Sequence, residues 1–426
     1  MRIGSENGCS LTGVAASDGD RGRGSKMEVT RLGVVMRAVR LAVVTGVIVA
    51  LTTLISGCGG NTTTDEGTAE PYVIGAVLSV TGAQSGLGEP EKNAIEMEVA
   101  RINASGGING RPIQVIIEDD ASDVDAATAA TTKLIEQDGV LAIIGSTGSG
   151  QSMAMRAEIQ ANGIPQVSLG SSAVITEELD PFVFQAPWTA RLIAPMILEY
   201  LQGEGFTKIG LITEDTGFGK DGKDLVNEMA ADFGITIVSD QVFKPADTDM
   251  TGQLTVIKSA GAQAVLMWSS VSASAIVPKN MSQLNMDIPL VCSHGNAKQE
   301  FIEGAGEAGE NVITFAGKVL APETYGVGTD AYEVATGFVE RYTTEYGVAP
   351  DHYAGHAYDA LYIIVEAMKR LDEGFTPADL RDEIERTSGL PGIGGTFTFS
   401  PTDHNGMSAS DINRYRIENG SFILDE

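Results

Sequence analysis

Cysteine is scarce in this chain. There are three in 426 residues, Cys9, Cys58 and Cys292. They are too few and too scattered for a disulfide framework or a cysteine-based zinc site. Histidine is almost as rare: His294, His352, His356 and His404 are the full set, and none stands in an H-E-x-x-H motif. Neither a metal centre nor any other cofactor is expected. Basic residues are also outnumbered, 28 Lys and Arg against 57 Asp and Glu, for a formal charge of −29. Such a surface repels phosphate backbones and anionic headgroups, so nucleic acid is excluded as a partner. What is abundant is ordinary: 43% hydrophobic and 20% charged residues describe a globular protein. The length suits two domains and a targeting segment.

The first 35 residues carry no apolar periodicity, and Met27 or Met36 would serve as a later start. From Met36 a pattern emerges. Arg37 and Arg40 precede an uncharged apolar run, Leu41 to Leu54, and then Ile55-Ser56-Gly57-Cys58. The run falls short of the roughly 20 residues of a spanning helix and suits a secretory signal. An aliphatic residue and two small ones before a cysteine resemble the lipobox of bacterial lipoproteins, with Cys58 as the lipidated residue. Residues 1–57 are thus expected to be a targeting segment. Residues 58–70, small and polar, read as a flexible tether to the membrane.

Beyond Pro71, short β-branched runs alternate with helical periods. Strands are expected over 72–80, 113–117, 141–144, 209–213, 235–238, 264–268, 289–292 and 312–316. Helices are expected over 91–104, 125–138, 151–161, 220–233, 251–260, 272–284, 330–346, 353–371 and 377–387. Continuous apolar strands alternating with helices imply parallel sheets covered on both faces. Segments 395–399 and 412–417 read as a hairpin-like stretch, with the Asn419-Gly420 turn after them. The expected architecture is α/β: two Rossmann-like lobes with mostly parallel sheets, joined by several hinge crossovers. Lobe 1 takes 71–189 with 318–410, and lobe 2 takes 190–317 with 411–426.

Several segments carry a resemblance when taken together. Ser79-Val80-Thr81-Gly82-Ala83-Gln84-Ser85-Gly86-Leu87-Gly88 follows the first strand. Ile102-Asn103-Ala104-Ser105-Gly106-Gly107-Ile108-Asn109-Gly110-Arg111-Pro112-Ile113 lies between helix and second strand. Then come Ile143-Ile144-Gly145-Ser146-Thr147-Gly148-Ser149 and Ile164-Pro165-Gln166-Val167-Ser168-Leu169-Gly170-Ser171-Ser172. His356-Ala357-Tyr358-Asp359-Ala360 opens a long helix. From Pro71 to the C-terminus the chain resembles the branched-chain amino-acid type of ABC-transporter substrate-binding protein. That is the leucine/isoleucine/valine-binding-protein family, with the type I periplasmic-binding fold.

The resemblance implies site residues. Ser149 matches the serine that holds the ligand carboxylate, and Ser171 and Ser172 match the next binding loop. Phe218 matches an aromatic that closes from the second lobe, and Leu87 stands where relatives often carry an aromatic. His294 stands where amino-acid binders place an acid for the ligand ammonium. A histidine is a weaker, uncharged acceptor, so a carboxylate or amide without an α-amino group competes with an amino acid as ligand; His294 as a plain surface-loop residue also stays open. Trp188 falls near the first crossover, and Trp268, Ser269 and Ser270 end a second-lobe strand. Each tryptophan is either a cleft residue or a core one. Asp359 either orients hinge or ligand groups or lies on a helix face. His404 reads as a turn residue.

The physics points the same way. Ligands bind open α/β sheets outside the carboxyl ends of strands, where helix N-termini favour anions. Gly145–Ser152 nearly matches G-x-x-x-x-G-K-[ST], but Gln151 stands in place of the lysine that faces phosphates. Three classes of function follow. The first is capture of a small amino acid or carboxylate by a monomer that delivers it to ABC permease subunits. The second is ligand sensing for a membrane receptor. The third, an enzyme, is not expected, since no nucleophile elbow or spaced triad is present.

Overall fold

The computed structural model describes residues 70–425. The targeting segment, Cys58 and the tether up to residue 69 lie outside them. No helix among the described residues is long and apolar enough to cross a membrane.

The first sheet has five parallel strands in the order β2-β1-β3-β4-β5. They are β1 (Tyr72–Leu78), β2 (Ile113–Asp119), β3 (Ile143–Gly145), β4 (Gln166–Ser168) and β5 (Val183–Gln185). Alternation along β1 explains its two-sided burial. Ile74, Ala76 and Leu78 enter one core with α1 (Ser85–Ala104). Val77 enters another with α2 (Val124–Glu136) and α3 (Ser149–Asn162). The turn from α1 into β2 accounts for the glycine- and asparagine-rich string before Ile113. Asn103 clamps Ile113 through both its amide groups, at 2.8 and 2.9 Å. Gly107 has φ +73, and a Cβ there would meet the Arg111 carbonyl at 2.1 Å.

The short α4 (Val174–Glu177) precedes β5, and after β5 the chain runs through α5 (Ala190–Gly203) into the second sheet. The second sheet contains β6 (Lys208–Glu214), β7 (Thr236–Phe243), β8 (Ala264–Trp268), β9 (Leu290–Cys292) and β10 (Ile313–Gly317). Its parallel part runs β7-β6-β8-β9-β10, so it repeats the winding of the first sheet. α5 and α6 (Gly217–Met229) cover one face. α7 (Thr251–Ser259), α8 (Ile276–Gln283) and α9 (Gln299–Ala305) cover the other. The chain then returns to the first sheet. α10 (Asp330–Tyr346), α11 (His352–Lys369) and α12 (Pro377–Glu385) pack into the same core as α1. The fold is the α/β architecture expected, two doubly wound sheets in one chain.

Three local expectations differ. Helix α1 begins at Ser85 rather than after Pro90; a proline near a helix start forfeits one hydrogen bond without breaking the helix. The three-residue strand β5 and the helix α5 were not anticipated. Residues 395–399 do not pair with 412–417. β12 (Thr396–Phe397) pairs with β11 (Leu390–Pro391), whereas β13 (Ile412–Glu418) runs antiparallel to β10 and to β14 (Ser421–Leu424). Alternation fixes which face of a strand is buried and leaves its neighbour open.

Candidate functional site

In a sheet of order 2-1-3-4-5, the connections after the first and third strands leave in opposite directions and open a crevice between them. The five-stranded side places the loop after β1 and the loop after β3 there. The seven-stranded side repeats the arrangement with the loops after β6 and β8. The two crevices face each other. Gln84, Leu87, Thr147, Ser149, Leu169 and Ser171 come from the first; Phe218 and Ser270 come from the second; Tyr353 of α11 joins them. The space between them is about 10 Å³, close to what a single water occupies. A solute enters only if the two sides part.

The first crevice gathers hydroxyls and backbone amides at a helix start. Ser149 opens α3, whose N-terminus has no side-chain cap, and Ser149 Oγ accepts from the amides of Ser171 (3.2 Å) and Ser172 (3.1 Å). Backbone donors and a helix start thus converge on one hydroxyl. Gln151, in the lysine position of the phosphate-loop pattern, donates to Gln84 Oε1 at 2.9 Å and ties the two crevice loops together. Beneath them Asp120 accepts from Ser79 Oγ (2.6 Å) and from Ser146 Oγ. Glu91 is fully buried and accepts from Thr147 Oγ1. Burial pushes its carboxyl well above the ordinary value.

The second crevice is organised by a buried acid that the sequence did not single out. Glu214, 1% exposed at the end of β6, accepts from Ser269 Oγ (2.6 Å), Ser270 N (2.7 Å), Ser270 Oγ (3.2 Å), Val271 N (3.0 Å) and Thr216 Oγ1 (2.6 Å). These bonds shape the loop that presents Ser270. Lys298 is also buried; it donates to Ser270 O at 2.8 Å and pairs with Glu300 at 2.9 Å.

Of the residues expected at a ligand, Leu87, Ser149, Ser171, Phe218 and Ser270 line one space. Ser172 adjoins it through its amide, and its hydroxyl reaches Gly217 O at 3.4 Å. Trp268, Trp188 and His294 do not line it. Trp268 and His294 are buried behind Phe218, with ring centroids 5.8 and 5.2 Å from it. His294 is therefore not a surface-loop residue, and burial lowers its pKa to about 3. Trp188 is a core residue that donates to Gly394 O at 2.9 Å. Trp268 is the last residue of β8, and alternation puts its ring on the core side; Trp188 and His294 lie in the segments after β5 and β9. Asp359 is buried and accepts from the amides of Ile393 (2.6 Å) and Gly394 (2.7 Å), so it pins the segment that holds Trp188. His404 sits in a turn and is buried, stacked on Phe184 at 4.2 Å.

Few bonds cross between the sides. Asp221 accepts from Ala173 N at 2.7 Å, and burial raises its pKa to about 6. Tyr353 donates to Gly295 O at 2.9 Å, and Ser272 N to Ala83 O at 3.4 Å. Gln84, Thr147, Leu169 and Tyr353 were missed as lining residues. The first three stand in the loops quoted above, so the strand-end rule would have found them; Tyr353 carried no local signal.

Comparison with known proteins gives a consistent picture. A family model described as "Periplasmic binding protein" matches residues 71–420. The Leu/Ile/Val-binding protein homolog 7 of Brucella abortus (strain 2308) is 28% identical over 364 residues, covering 78% of this chain and 86% of that protein. An extracellular ligand-binding receptor from Rhodopseudomonas palustris HaA2 superposes with a TM-score of 0.78 at 22% identity, over 83% of this chain and 99% of that one. The branched-chain amino acid transporter substrate binding protein LivJ from Streptococcus pneumoniae, in complex with isoleucine, gives 0.74 at 23% identity, over 83% and 98%.

Proposed function

Because the chain belongs to the periplasmic binding protein family, we propose that it captures a small amino acid or carboxylate outside the cytoplasm and hands it to an ABC importer. The carrying observation is the Ser149 hydroxyl flanked by the Ser171 and Ser172 amides at the start of α3, facing Phe218 and Ser270 across the crevice. The proposed lobes are 71–189 with 318–410 and 190–317 with 411–426. The solute's carboxylate docks first on the five-stranded side, and the seven-stranded side closes over it. Ligand shifts this equilibrium only through contacts made in the closed state. No covalent step is involved. In this reading Cys58 carries the lipid that holds the protein near its permease, and the protein acts as a monomer. The relatives named for leucine, isoleucine and valine make these amino acids the first ligands to try.

A second reading, a carboxylate or amide without an α-amino group, is favoured by His294. The acid of the second crevice, Glu214, is fully engaged by five donors, and His294 is a neutral ring turned into the core. Thermal melting against paired ligands, leucine beside 4-methylpentanoate and valine beside isovalerate, separates the two. Stabilisation by the amino acids alone rejects the second reading. If neither set raises the midpoint at millimolar excess, solute capture of this class is wrong. Ligand sensing for a membrane receptor uses the same closure and is distinguished by which membrane protein co-purifies.

A further inference from the structure

Three of the four histidines lie together where the two sides meet, and solute capture uses none of them directly. His352 and His356 are one turn apart on α11, with ring centroids 5.4 Å apart. His294 follows β9 on the other side. Each is 1% exposed, and the Nδ1 and Nε2 atoms of all three have no hydrogen-bond partner. Their neighbours are aromatic. Trp188 lies 4.6 Å from His356 and 5.8 Å from His352; Phe218 and Trp268 lie 5.2 and 5.9 Å from His294. Among the described residues no group of three or more His, Cys, Asp or Glu is arranged to hold a metal ion. Six buried ring nitrogens without partners are costly for a fold to keep, since each forgoes its bonds to water.

The charged groups around the cluster are all committed elsewhere. On α11 itself, Asp351 caps the helix through Tyr353 N and Ala354 N, and Asp359 holds Ile393 N and Gly394 N. From the segment after β9, Lys298 opposes any positive charge on His352. Glu300 of α9 pairs with Lys298, Glu214 of β6 takes five donors, and Glu91 of α1 takes Thr147. Tyr353 gives its proton to Gly295 O. The α11 N-terminus adds positive potential beside His352 and His356. The Ala297 carbonyl is an acceptor toward His352, but burial and the charges of His356, His294 and Lys298 outweigh it, so a protonated imidazole finds no free carboxylate while the sides are together. The Tyr353–Gly295 bond joins the immediate neighbours of His352 and His294, so parting the sides there separates the cluster and admits water.

We propose that His294, His352 and His356 form an acid-sensitive latch: the two sides stay together while the rings are neutral and part when the rings take up protons. The sign follows from linkage. The closed form disfavours the charged ring, and the open form lets it titrate near its ordinary value of about 6.5. Closure is thus at full strength above about pH 7 and is lost as pH falls below that value. Each histidine that reaches water lowers the closed-to-open ratio by about tenfold between pH 7.5 and 5.5. The device does not depend on which solute is bound, and it would release any solute in acidic surroundings.

The two tryptophans of the chain report on the cluster directly, since each touches a cluster histidine and a nearby imidazolium quenches indole emission. The test is a ligand-free titration of the purified protein from pH 8 to 4.5, following tryptophan emission, far-UV circular dichroism and the radius of gyration from solution scattering. The expected result is a fall in emission and a rise in radius between pH 7 and 5 with unchanged circular dichroism. The double variant His294→Gln with His352→Gln keeps neutral polar side chains and should stay compact to lower pH. A radius constant down to pH 4.5 overturns the proposal, as does expansion that coincides with loss of circular dichroism. Expansion of a folded double variant at the wild-type pH also overturns it, and if that variant does not fold, the wild-type titration decides alone.

Discussion

The sharpest perturbation available is one methyl group at the seam between the two sides. α6 begins at Gly217 and α3 contains Gly150, and the two helix starts meet glycine to glycine. A Cβ on Gly217 would lie 2.9 Å from Gly150 N and 3.0 Å from Gly150 Cα. Both are backbone atoms and cannot turn aside. Restoring an ordinary contact of about 3.5 Å requires the sides to part by roughly half an ångström. Forced overpacking of this kind costs about 1–3 kcal/mol. At 1.4 kcal/mol per tenfold, Gly217→Ala should lower the closed population, and with it ligand affinity, by about fivefold to 150-fold. The matched control is Gly150→Ala. Its Cβ would meet nothing nearer than 3.8 Å, at Gly217 N and Val124 Cγ1, so it should close normally. The assay is solution scattering of both variants at neutral pH, with calorimetric titration of whichever solute the melting screen identifies. Gly217→Ala should show a larger radius and weaker binding at an unchanged unfolding midpoint. If both variants bind and scatter alike, the glycine approach does not limit closure and the reasoning fails.

Three further outcomes follow from the same contacts. Ser149→Ala strips the Ser171 and Ser172 amides of their shared acceptor and should weaken carboxylate binding by about tenfold, in line with roughly 1–2 kcal/mol for such a group; an unchanged Kd by calorimetry would remove Ser149 from the grip. Glu214→Ala leaves five donors without their acceptor and should lower stability by on the order of 3 kcal/mol, visible as an early urea midpoint; a midpoint within error of wild type means the loop repacks. Asp221 works against the histidines: burial holds its pKa near 6 in the closed form against an ordinary 3.8. Between those values the closed form keeps the extra proton, so the closure it contributes is full below the lower value and is lost as pH rises through 6. Asp221→Asn removes that counterweight and should steepen acid opening in scattering; a shallower transition contradicts the assignment.

Much of this was legible in the chain. Alternating apolar strands and amphipathic helices gave both sheets, because buried parallel strands need cover on two faces. The family resemblance named Ser149, Ser171, Phe218 and Leu87, and its place after a strand end named Ser270; these five line one space. The three-residue strand β5 was missed, whereas β3 and β9, no longer, were expected from the apolar runs around 141–144 and 289–292. Partner choice was out of reach for β13, whose pattern is satisfied by any neighbour with a matching face. The same limit left Trp268 open between cleft and core; Trp188 and His294 lie past the ends of β5 and β9 and had no alternation to place them. The His352–His356 pair was readable as a four-residue spacing on a helix and was passed over because it lacks the glutamate of a metal motif. What no spacing reveals is His294 approaching that pair from the other sheet.

The energetics of the seam explain why such small groups can govern it. The bonds that cross it include Ala173 to Asp221, Tyr353 to Gly295, Ser172 to Gly217 and Ser272 to Ala83, each contributing about 0.5–1.5 kcal/mol, with the Arg191–Glu177 ion pair beside them. Against them stand the cost of burying six ring nitrogens without partners and the dehydration of Glu91 and Asp221. Opposing terms of this kind let an equilibrium between two conformations respond to its surroundings. A solute that engages Ser149 on one side and Phe218 on the other adds its own contacts to the closed state alone. Protons taken up by the histidines add theirs to the open state alone. Solute and acid then pull one equilibrium in opposite directions, and linkage makes the effect reciprocal: bound solute must lower the histidines' affinity for protons by the factor by which acid weakens solute binding.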